Sequence, residues 1–260
     1  MTVYENVLQG LYRSSLGDEE KDQKVKIAVA KFGLLNYLNF KPRHLSEGLK
    51  QKVAICKSFI RGPKLLLLDE PFANLDVRSR QKIQNELLDT YKANETTFIY
   101  ATHNIVEAEQ LSTEVVILDK GQLLQMGTFS DIKSRPISIQ VAQIIYGGNI
   151  NVLRMYLDGS SLSVGGLFIP FISSAAHGFY DVVIPYESIV VAKNGTFSGQ
   201  IADVKYLGQN LLLSVDIAGQ SLKSLSDISF SLTKKCDVTL TIDATRIFCF
   251  RNNVICGLNE

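Results

Sequence analysis

The chain has 260 residues, of which 46% are hydrophobic and 20% charged, so one large or two ordinary domains are possible and bulk disorder is excluded. A formal net charge of +1 gives no electrostatic reason to expect nucleic acid as the main partner. The four cysteines form no CxxC pair, which favours reduced thiols over a metal site. Apolar runs fall short of the ~20 residues of a membrane helix, so we expect no direct membrane insertion.

Two helices are predicted in the N-terminal part. The first is amphipathic, and its apolar positions recur at helical spacing: Val25, Ala28, Phe32 and Leu35. The second runs from about Gly48 to Arg61 and is ended by Gly62-Pro63, which is a typical helix stop signal.

A parallel βαβ unit is predicted after these helices. Leu65 to Leu68 form a continuous apolar run that is followed by two acids, as expected of a strand buried on both faces of a parallel sheet. A helix over Ser79 to Tyr91 and a strand over Thr97 to Thr102 complete the unit. Val115 to Leu118 indicate one more strand.

The pattern changes near residue 149, where helical periodicity fades. A short helix that ends at Gly147-Gly148 is expected to connect the halves. Beyond it, short alternating segments separated by Gly, Asn, Asp and Ser predict a small β-barrel or sandwich. These segments are Val182 to Pro185, Gly199 to Val204, Leu211 to Ile217 and Val238 to Ile242.

Polar residues stand where an α/β sheet binds ligands. Asp69 and Glu70 follow one buried strand and His103 follows the next, and the carboxyl ends of parallel strands meet at one edge of the sheet. Ser46 opens a helix, where backbone N–H groups favour anions. Each feature alone has a plain structural reading, such as a strand exit for the acids or an N-cap for Ser46. Their order and spacing together favour nucleotide chemistry.

The segment LSEGLKQKVAICKSFIRGPKLLLLDEPFANLD, residues 45–76, resembles the signature-to-Walker-B stretch of ATP-binding-cassette (ABC) ATPases. Residues 102–128 resemble the histidine switch of that family and the stretch after the switch, and MTVYENVLQGLY is similar to the start of the helical subdomain of its importers. The resemblance implies ATP and Mg²⁺ as cofactors. It also implies a set of residue roles: Asp69 as the metal-associated acid, Glu70 as catalytic base, His103 as switch histidine, Asn74, Leu75 and Asp76 as D-loop, and Ser46 and Gly48 as signature residues that contact ATP held by a second subunit.

The chain departs from the family pattern at three places. Glu47 and Leu49 stand where the usual signature has glycine and glutamine, and Glu47 adds negative charge near a phosphate site. In addition, no GxxxxGK[ST] motif occurs, so the loop that cradles the β- and γ-phosphates is missing. We therefore expect an N-terminally truncated family member that neither binds ATP tightly nor hydrolyses it alone.

The resemblance also implies a domain plan. Residues 1–148 would form a partial α/β P-loop ATPase domain, with a helical subdomain to about 62, a core from 63 to 135 and a linker over 136–148. Residues 149–260 resemble the oligonucleotide-binding-like accessory domain called TOBE, through elements such as Asp181 to Ile189 and Val204 to Gly208.

The expected function is that of the ATP-hydrolysing subunit of an importer for a sugar or polyamine. It would lie at the cytoplasmic face of the plasma membrane, with transmembrane permease subunits and a second ATPase subunit as partners. The alternatives are a non-catalytic assembly module that pairs with an intact subunit, an oxyanion sensor built on the C-terminal domain, and a chromosome-maintenance ATPase. The last is disfavoured because no long heptad pattern is present.

Overall fold

A computed structural model describes residues 1–72, 75–94, 97–227 and 232–258. The chain divides into two compact units, Met1–Leu111 and Ser112–Glu260. The predicted family boundary after residue 148 falls inside the second unit and stays a prediction. In the described parts of the chain, no helix combines the length and the apolar character needed to cross a membrane.

The first unit mixes helices with a small parallel sheet. Its described elements, in chain order, are α1 (Val3–Leu8), α2 (Asp18–Lys31), α3 (Glu47–Phe59), β1 (Leu65–Asp69), α4 (Val77–Asn94), β2 (Thr97–Ala101) and α5 (Ile105–Leu111).

Both predicted N-terminal helices are present. In α2 the backbone N–H of Gly17 donates to the Glu20 carboxylate at 2.9 Å, which caps the start of the helix. The apolar stripe predicted for it is confirmed at Val25 and Phe32, which are buried. Leu35 lies beyond the helix end and is half exposed, because the chain turns after Gly33, whose φ is +63°.

The short 3₁₀ turn Gln9–Leu11, which follows α1, packs closely on α3. An added Cβ at Gly10 would lie 2.4 Å from Ile60 Cγ2 and 2.6 Å from the carbonyl oxygen of Lys57, so only glycine fits here. The guanidinium of Arg61 donates to the Gly10 carbonyl, and Lys57 Nζ donates to Gln9 Oε1 at 2.8 Å. Close backbone approach and two side-chain bonds thus hold the turn to the helix.

The predicted βαβ unit is confirmed. Strands β1 and β2 pair in parallel, from Leu65 opposite Thr97 to Asp69 opposite Ala101, with α4 between them in the chain. The expectation that β1 is buried on both faces is wrong: Leu66 is buried, but Leu65 and Leu67 are 51% and 67% exposed. Ile99 on β2 is likewise 58% exposed. Side chains alternate across a strand, so one face of this pair packs on the unit's core and the other is open.

The second unit is rich in strands. Its described elements are β3 (Val115–Asp119), β4 (Gln122–Gly127), α6 (Phe129–Ser134), α7 (Ile139–Ile145), β5 (Ile150–Leu157), β6 (Ser161–Val164), β7 (Leu167–Pro170), β8 (Gly178–Pro185), β9 (Ile189–Val191), β10 (Phe197–Leu207), β11 (Asn210–Ile217), β12 (Gln220–Asp227), β13 (Asp237–Ile242), β14 (Phe248–Arg251) and β15 (Val254–Leu258).

Two larger sheets of this unit enclose a common core. One has the order β12-β11-β10-β13-β9 and the other β15-β14-β8-β5-β6-β7. Inward residues of both, such as Met155, Val182, Leu213 and Leu240, are fully buried in one cluster. The alternating segments predict a β-barrel or sandwich, and the described strands form two sheets around one core.

A polar clamp joins the two sheets inside this core. The side-chain amide of the buried Asn151 on β5 donates to the carbonyl of Lys223 on β12 at 2.9 Å and accepts from the backbone N–H of Lys223 at 2.8 Å. The outer face of the second sheet is covered by α7, whose Val141 and Ile145 lie in a cluster with Phe248. This packing explains why residues 112–148 belong to the second compact unit.

Candidate functional site

The structure brings the predicted base and the predicted switch histidine into direct contact. Glu70 directly follows β1 and His103 lies two residues after β2, so parallel pairing places both at one end of the sheet. Glu70 Oε1 lies 2.6 Å from His103 Nδ1 and accepts the backbone N–H of His103 at 3.1 Å. An ionised carboxylate only accepts hydrogen bonds, so Nδ1 carries the proton in this contact. The His103 side chain is 80% exposed, which makes its Nε2 accessible to a ligand.

Glu70 occupies a strained backbone conformation. Its φ of +44° lies in the left-handed region, which costs a residue with a Cβ roughly 1–2 kcal/mol. Its backbone N–H donates to the carbonyl of Ala101 at 2.9 Å, which continues the ladder of β1 and β2 by one residue. This bend turns the carboxylate toward the end of β2, where His103 lies.

Asp69 is the last residue of β1 and is exposed. Mg²⁺ usually keeps several waters and takes one or two protein carboxylates together with substrate phosphates. A single accessible carboxylate at the carboxyl end of a parallel strand fits this donor set. Asp69 could therefore hold such an ion together with a nucleotide.

The predicted signature residues lie at the start of α3. Ser46 is its N-cap, and its hydroxyl accepts the backbone N–H of Leu49 at 3.4 Å. The structural interpretation of this serine is therefore confirmed, and its role as a signature residue stays a prediction. Ser46 is exposed and Gly48 half-buried. The carboxylate of Glu47 is 64% exposed and forms an ion pair with Lys50 at 2.6 Å, so its charge is partly compensated at the surface.

The predicted D-loop residue Asp76 is exposed and precedes α4. Its carboxylate accepts the backbone N–H of Arg78 at 3.1 Å, and its carbonyl accepts that of Arg80 at 2.9 Å, as at a helix N-cap. Asn74, the first predicted residue of this loop, lies outside the described residues. Ser46, Gly48 and Asp76 are thus placed at helix starts, whereas Asp69, Glu70 and His103 are placed at strand ends.

Sequence reasoning missed Glu107, which is only 5% exposed. It accepts hydrogen bonds from residues on both sides of His103, Thr102 at 2.9 Å and Asn104 at 3.1 Å. Burial and then a hydrogen bond to Glu107 raise the pKa of Tyr100. An available signal was the spacing of Asn104 and Glu107, since Asn at an N-cap with Glu three residues later resembles a capping box.

Known proteins similar to this chain point to one family. The family model described as "ABC transporter" matches residues 1–73. A molybdate/tungstate import ATP-binding protein of Pyrococcus abyssi is 30% identical over 260 residues, which cover 95% of this chain and 75% of the relative. An oligosaccharides import ATP-binding protein of Bacillus subtilis is 26% identical over 265 residues, which cover 95% of this chain and 72% of the relative.

The solved structure of cbiO1 from Clostridium perfringens, described as part of the ABC transporter complex cbiONQ, is 27% identical. The aligned region covers 52% of this chain and 58% of the cbiO1 chain, with a TM-score of 0.46. The assignment rests on the sequence relatives instead. On these grounds the chain belongs to the ABC transporter family, and its relatives are the ATP-binding subunits of importers.

Proposed function

We propose that this chain is the ATP-hydrolysing subunit of an importer, and that Glu70 and His103 form its catalytic pair. The observation that carries the proposal is the 2.6 Å contact between Glu70 Oε1 and His103 Nδ1 at the carboxyl ends of two parallel strands. A carboxylate there can orient and deprotonate a water that attacks the terminal phosphate of ATP. In the imidazolium form of His103 both ring nitrogens carry a proton, so Nε2–H can donate to that phosphate while Nδ1–H donates to Glu70.

In this proposal, Asp69 would hold Mg²⁺ beside the nucleotide. The ion supplies neutralisation of charge that develops on the β- and γ-phosphates. Asp69 itself contributes the negative charge and the fixed position at the end of β1. Glu70 follows one residue further, and its bent backbone directs its carboxylate to His103. In this proposal, the Glu70 carboxylate orients the attacking water and does not hold the ion.

A second ATPase subunit is the proposed partner for Ser46, Gly48 and Asp76. Ser46 is exposed at the start of α3, where backbone N–H groups and the helix dipole favour a phosphate. Asp76 is exposed directly before α4. The family resemblance assigns them to ATP that is held by the other subunit. Transmembrane permease subunits at the cytoplasmic face are the other proposed partners, because the relatives are import ATP-binding proteins.

We further propose that these 260 residues do not bind ATP tightly by themselves, since they contain no GxxxxGK[ST] loop. The test starts from the coding sequence that precedes Met1. If an in-frame segment there encodes the loop, the extended protein should hydrolyse ATP in the presence of Mg²⁺, and the 260-residue chain should not.

In that extended protein, Glu70→Gln should lower turnover about 10²–10⁴-fold, the usual contribution of a general base. His103→Ala should lower it about 10²–10³-fold, the usual loss when a donor to the transition state is removed. The matched control is Glu109→Gln, which changes an exposed acid on α5 and should leave turnover unchanged. Wild-type turnover in both Glu70→Gln and His103→Ala would refute the catalytic pair. Appreciable Mg²⁺-dependent turnover by the 260-residue chain at micromolar ATP would refute the proposal that the chain does not bind ATP tightly by itself.

A second candidate function is a non-catalytic assembly module that completes the ATP site of an intact subunit. The exposure of Ser46 and Asp76 favours it, because that half-site needs no phosphate loop of its own. A stop codon and a ribosome-binding site directly before Met1 would select this function. In that case Ser46→Arg should abolish any gain in turnover that the chain gives to an intact partner.

For the second unit we propose a TOBE-like accessory role for residues 149–260, supported by its two antiparallel sheets around one core. The transported solute is proposed only as polar, since the relatives import molybdate or tungstate in one case and oligosaccharides in the other. Titration of molybdate against the whole chain, followed by the amide signals of residues 149–260, tests whether this unit binds an oxyanion.

A further inference from the structure

The carboxylate of Glu107 is the centre of a buried polar network next to the catalytic pair. It lies on α5 and is 5% exposed. Its Oε2 accepts from the hydroxyl of Tyr100 and from Thr102 Oγ1 at 2.9 Å, and its Oε1 accepts from Asn104 Nδ2 at 3.1 Å. Arg80 Nε lies 3.6 Å from Oε1 and supplies the opposite charge.

These bonds hold His103 from both sides. Thr102 and Asn104 flank it in the turn between β2 and α5, and both are bound to the same carboxylate. The turn is closed further by the backbone N–H of Asn104, which donates to Thr102 Oγ1 at 3.0 Å. Glu107 holds both neighbours of His103 in place. His103 itself contacts Glu70 through Nδ1 and through its backbone N–H.

The network continues to the start of α4. Arg80, which pairs with Glu107, also donates from Nη2 to the carbonyl of Leu75 at 3.4 Å. Leu75 directly precedes Asp76, a residue of the proposed half-site for a second subunit. A contiguous set of polar contacts therefore runs from that half-site to the turn that carries His103.

Burial of a carboxylate is costly unless charge and hydrogen bonds compensate it. Here both carboxylate oxygens accept bonds, and the Arg80 guanidinium compensates their charge from 3.6 Å without a hydrogen bond from its buried Nε. Bonds to both oxygens make the turn around His103 rigid. The simpler role of helix capping would need only Asn104. It does not require Tyr100, Thr102 and Arg80 to converge on one buried group.

We propose that Glu107 is a positioning residue that fixes the His103 turn against Glu70 and ties it through Arg80 to the segment before α4. The value of this positioning for catalysis rests on the proposed function. The positioning itself is a property of the chain and needs no nucleotide.

The test reads the imidazole of His103 in the full chain, labelled with ¹⁵N-histidine, in mildly alkaline buffer. The chain has three histidines, so long-range ¹H–¹⁵N spectra can show which ring nitrogen of each is protonated. His103 in the wild type should show protonated Nδ1, because it donates to Glu70. Glu107→Gln should lose this signature at His103, while His44 and His177 stay unchanged.

Glu109→Gln, on the exposed side of the same helix, is the matched control and should keep the wild-type spectrum. A folded Glu107→Gln variant with the wild-type His103 signature would overturn the proposal. If that variant lacks the native circular dichroism spectrum, Thr102→Val takes its place. It keeps the carboxylate and removes two bonds of the turn, the one that Thr102 Oγ1 donates to Glu107 and the one that it accepts from Asn104. A wild-type His103 signature in Thr102→Val would then overturn it.

This readout separates the two proposals. A chain without ATPase activity can still show the His103 signature and its dependence on Glu107. Conversely, an active extended protein in which Glu107→Gln leaves the Nδ1 signature of His103 unchanged would support the proposed function and refute the positioning role of Glu107.

Discussion

Replacement of Gly10 by alanine should destabilise the first unit although alanine favours helical backbone. The gain from removing a glycine from a helical turn is at most about 1 kcal/mol, and Gly10 has no positive φ that would penalise alanine. Against this, the new Cβ would lie 2.4 Å from Ile60 Cγ2 and 2.6 Å from the Lys57 carbonyl oxygen. The backbone oxygen cannot rotate away, so the 3₁₀ turn and α3 must separate.

The magnitude is set by the cost of this separation. Overpacking of a fitted contact typically costs about 1–3 kcal/mol. The bond from the Arg61 guanidinium to the Gly10 carbonyl is also at risk, and a bond from a charged donor contributes about 1.5–3 kcal/mol. After a propensity gain of about 1 kcal/mol is subtracted, we expect the free energy of unfolding of this unit to fall by about 1.5–5 kcal/mol.

Urea unfolding followed by circular dichroism at 222 nm measures this loss, since the longer helices α2, α3 and α4 all belong to the first unit. Gly17→Ala is the matched control, because the nearest atom to its new Cβ is a flexible carboxylate oxygen 3.7 Å away. It changes an N-cap from glycine to alanine, which is a poorer N-cap, and should cost about 0.5–1 kcal/mol. A Gly10→Ala loss no larger than that of Gly17→Ala would refute the steric reasoning.

Three further predictions concern other parts of the chain. Bonds from the backbone N–H groups of Ser160 and Ser161 lower the pKa of Asp158 to about 2. The stabilisation by this carboxylate is therefore complete above its unfolded pKa of about 3.9 and is lost as the pH falls through about 2. Thermal melts over that range should depend less on pH in Asp158→Asn than in the wild type; equal slopes would contradict this. Leu213→Ala, at a fully buried position, should cost about 2–5 kcal/mol, measured by hydrogen exchange of β10, β11 and β12. Because Glu47 is exposed and ion-paired, Glu47→Gly should leave the apparent ATP affinity of the extended protein unchanged, and a clear rise in affinity would show that its charge reaches the phosphates.

Much of the first unit could be predicted from local pattern. The helix stop at Gly62-Pro63 and the apolar run after it located α3 and β1, and the βαβ reading implied the parallel pair that places Glu70 beside His103. The exposure of Leu65 and Leu67 could not be predicted in this way, because periodicity reports which residues are apolar and not what lies over them. Glu107 was missed for a related reason, since a single acid on a helix gives no sign of the partners that converge on it.

The strand order of the second unit could not be predicted from local sequence pattern either. Individual strands such as β8 and β13 were located from their alternation, but their partners are distant in sequence. Strand β8 pairs with both β5 and β14, and no local signal specifies that order. The clamp of Asn151 on Lys223 spans 72 residues, so its role is visible only in the folded chain.

The left-handed backbone of Glu70 has a consequence for how its variants are compared. At most positions alanine is the neutral replacement and glycine the destabilising one, but here a Cβ is what the backbone disfavours. Glycine and alanine both remove the carboxylate, so the difference between Glu70→Gly and Glu70→Ala isolates the strain, with glycine expected to be more stable by about 1 kcal/mol. The strain is common to the wild type and the alanine variant, so the stability loss measured for alanine alone reports the lost contact with His103. The chain keeps a carboxylate where its backbone would prefer glycine; under the proposed function, this is a trade-off between stability and activity at a single residue.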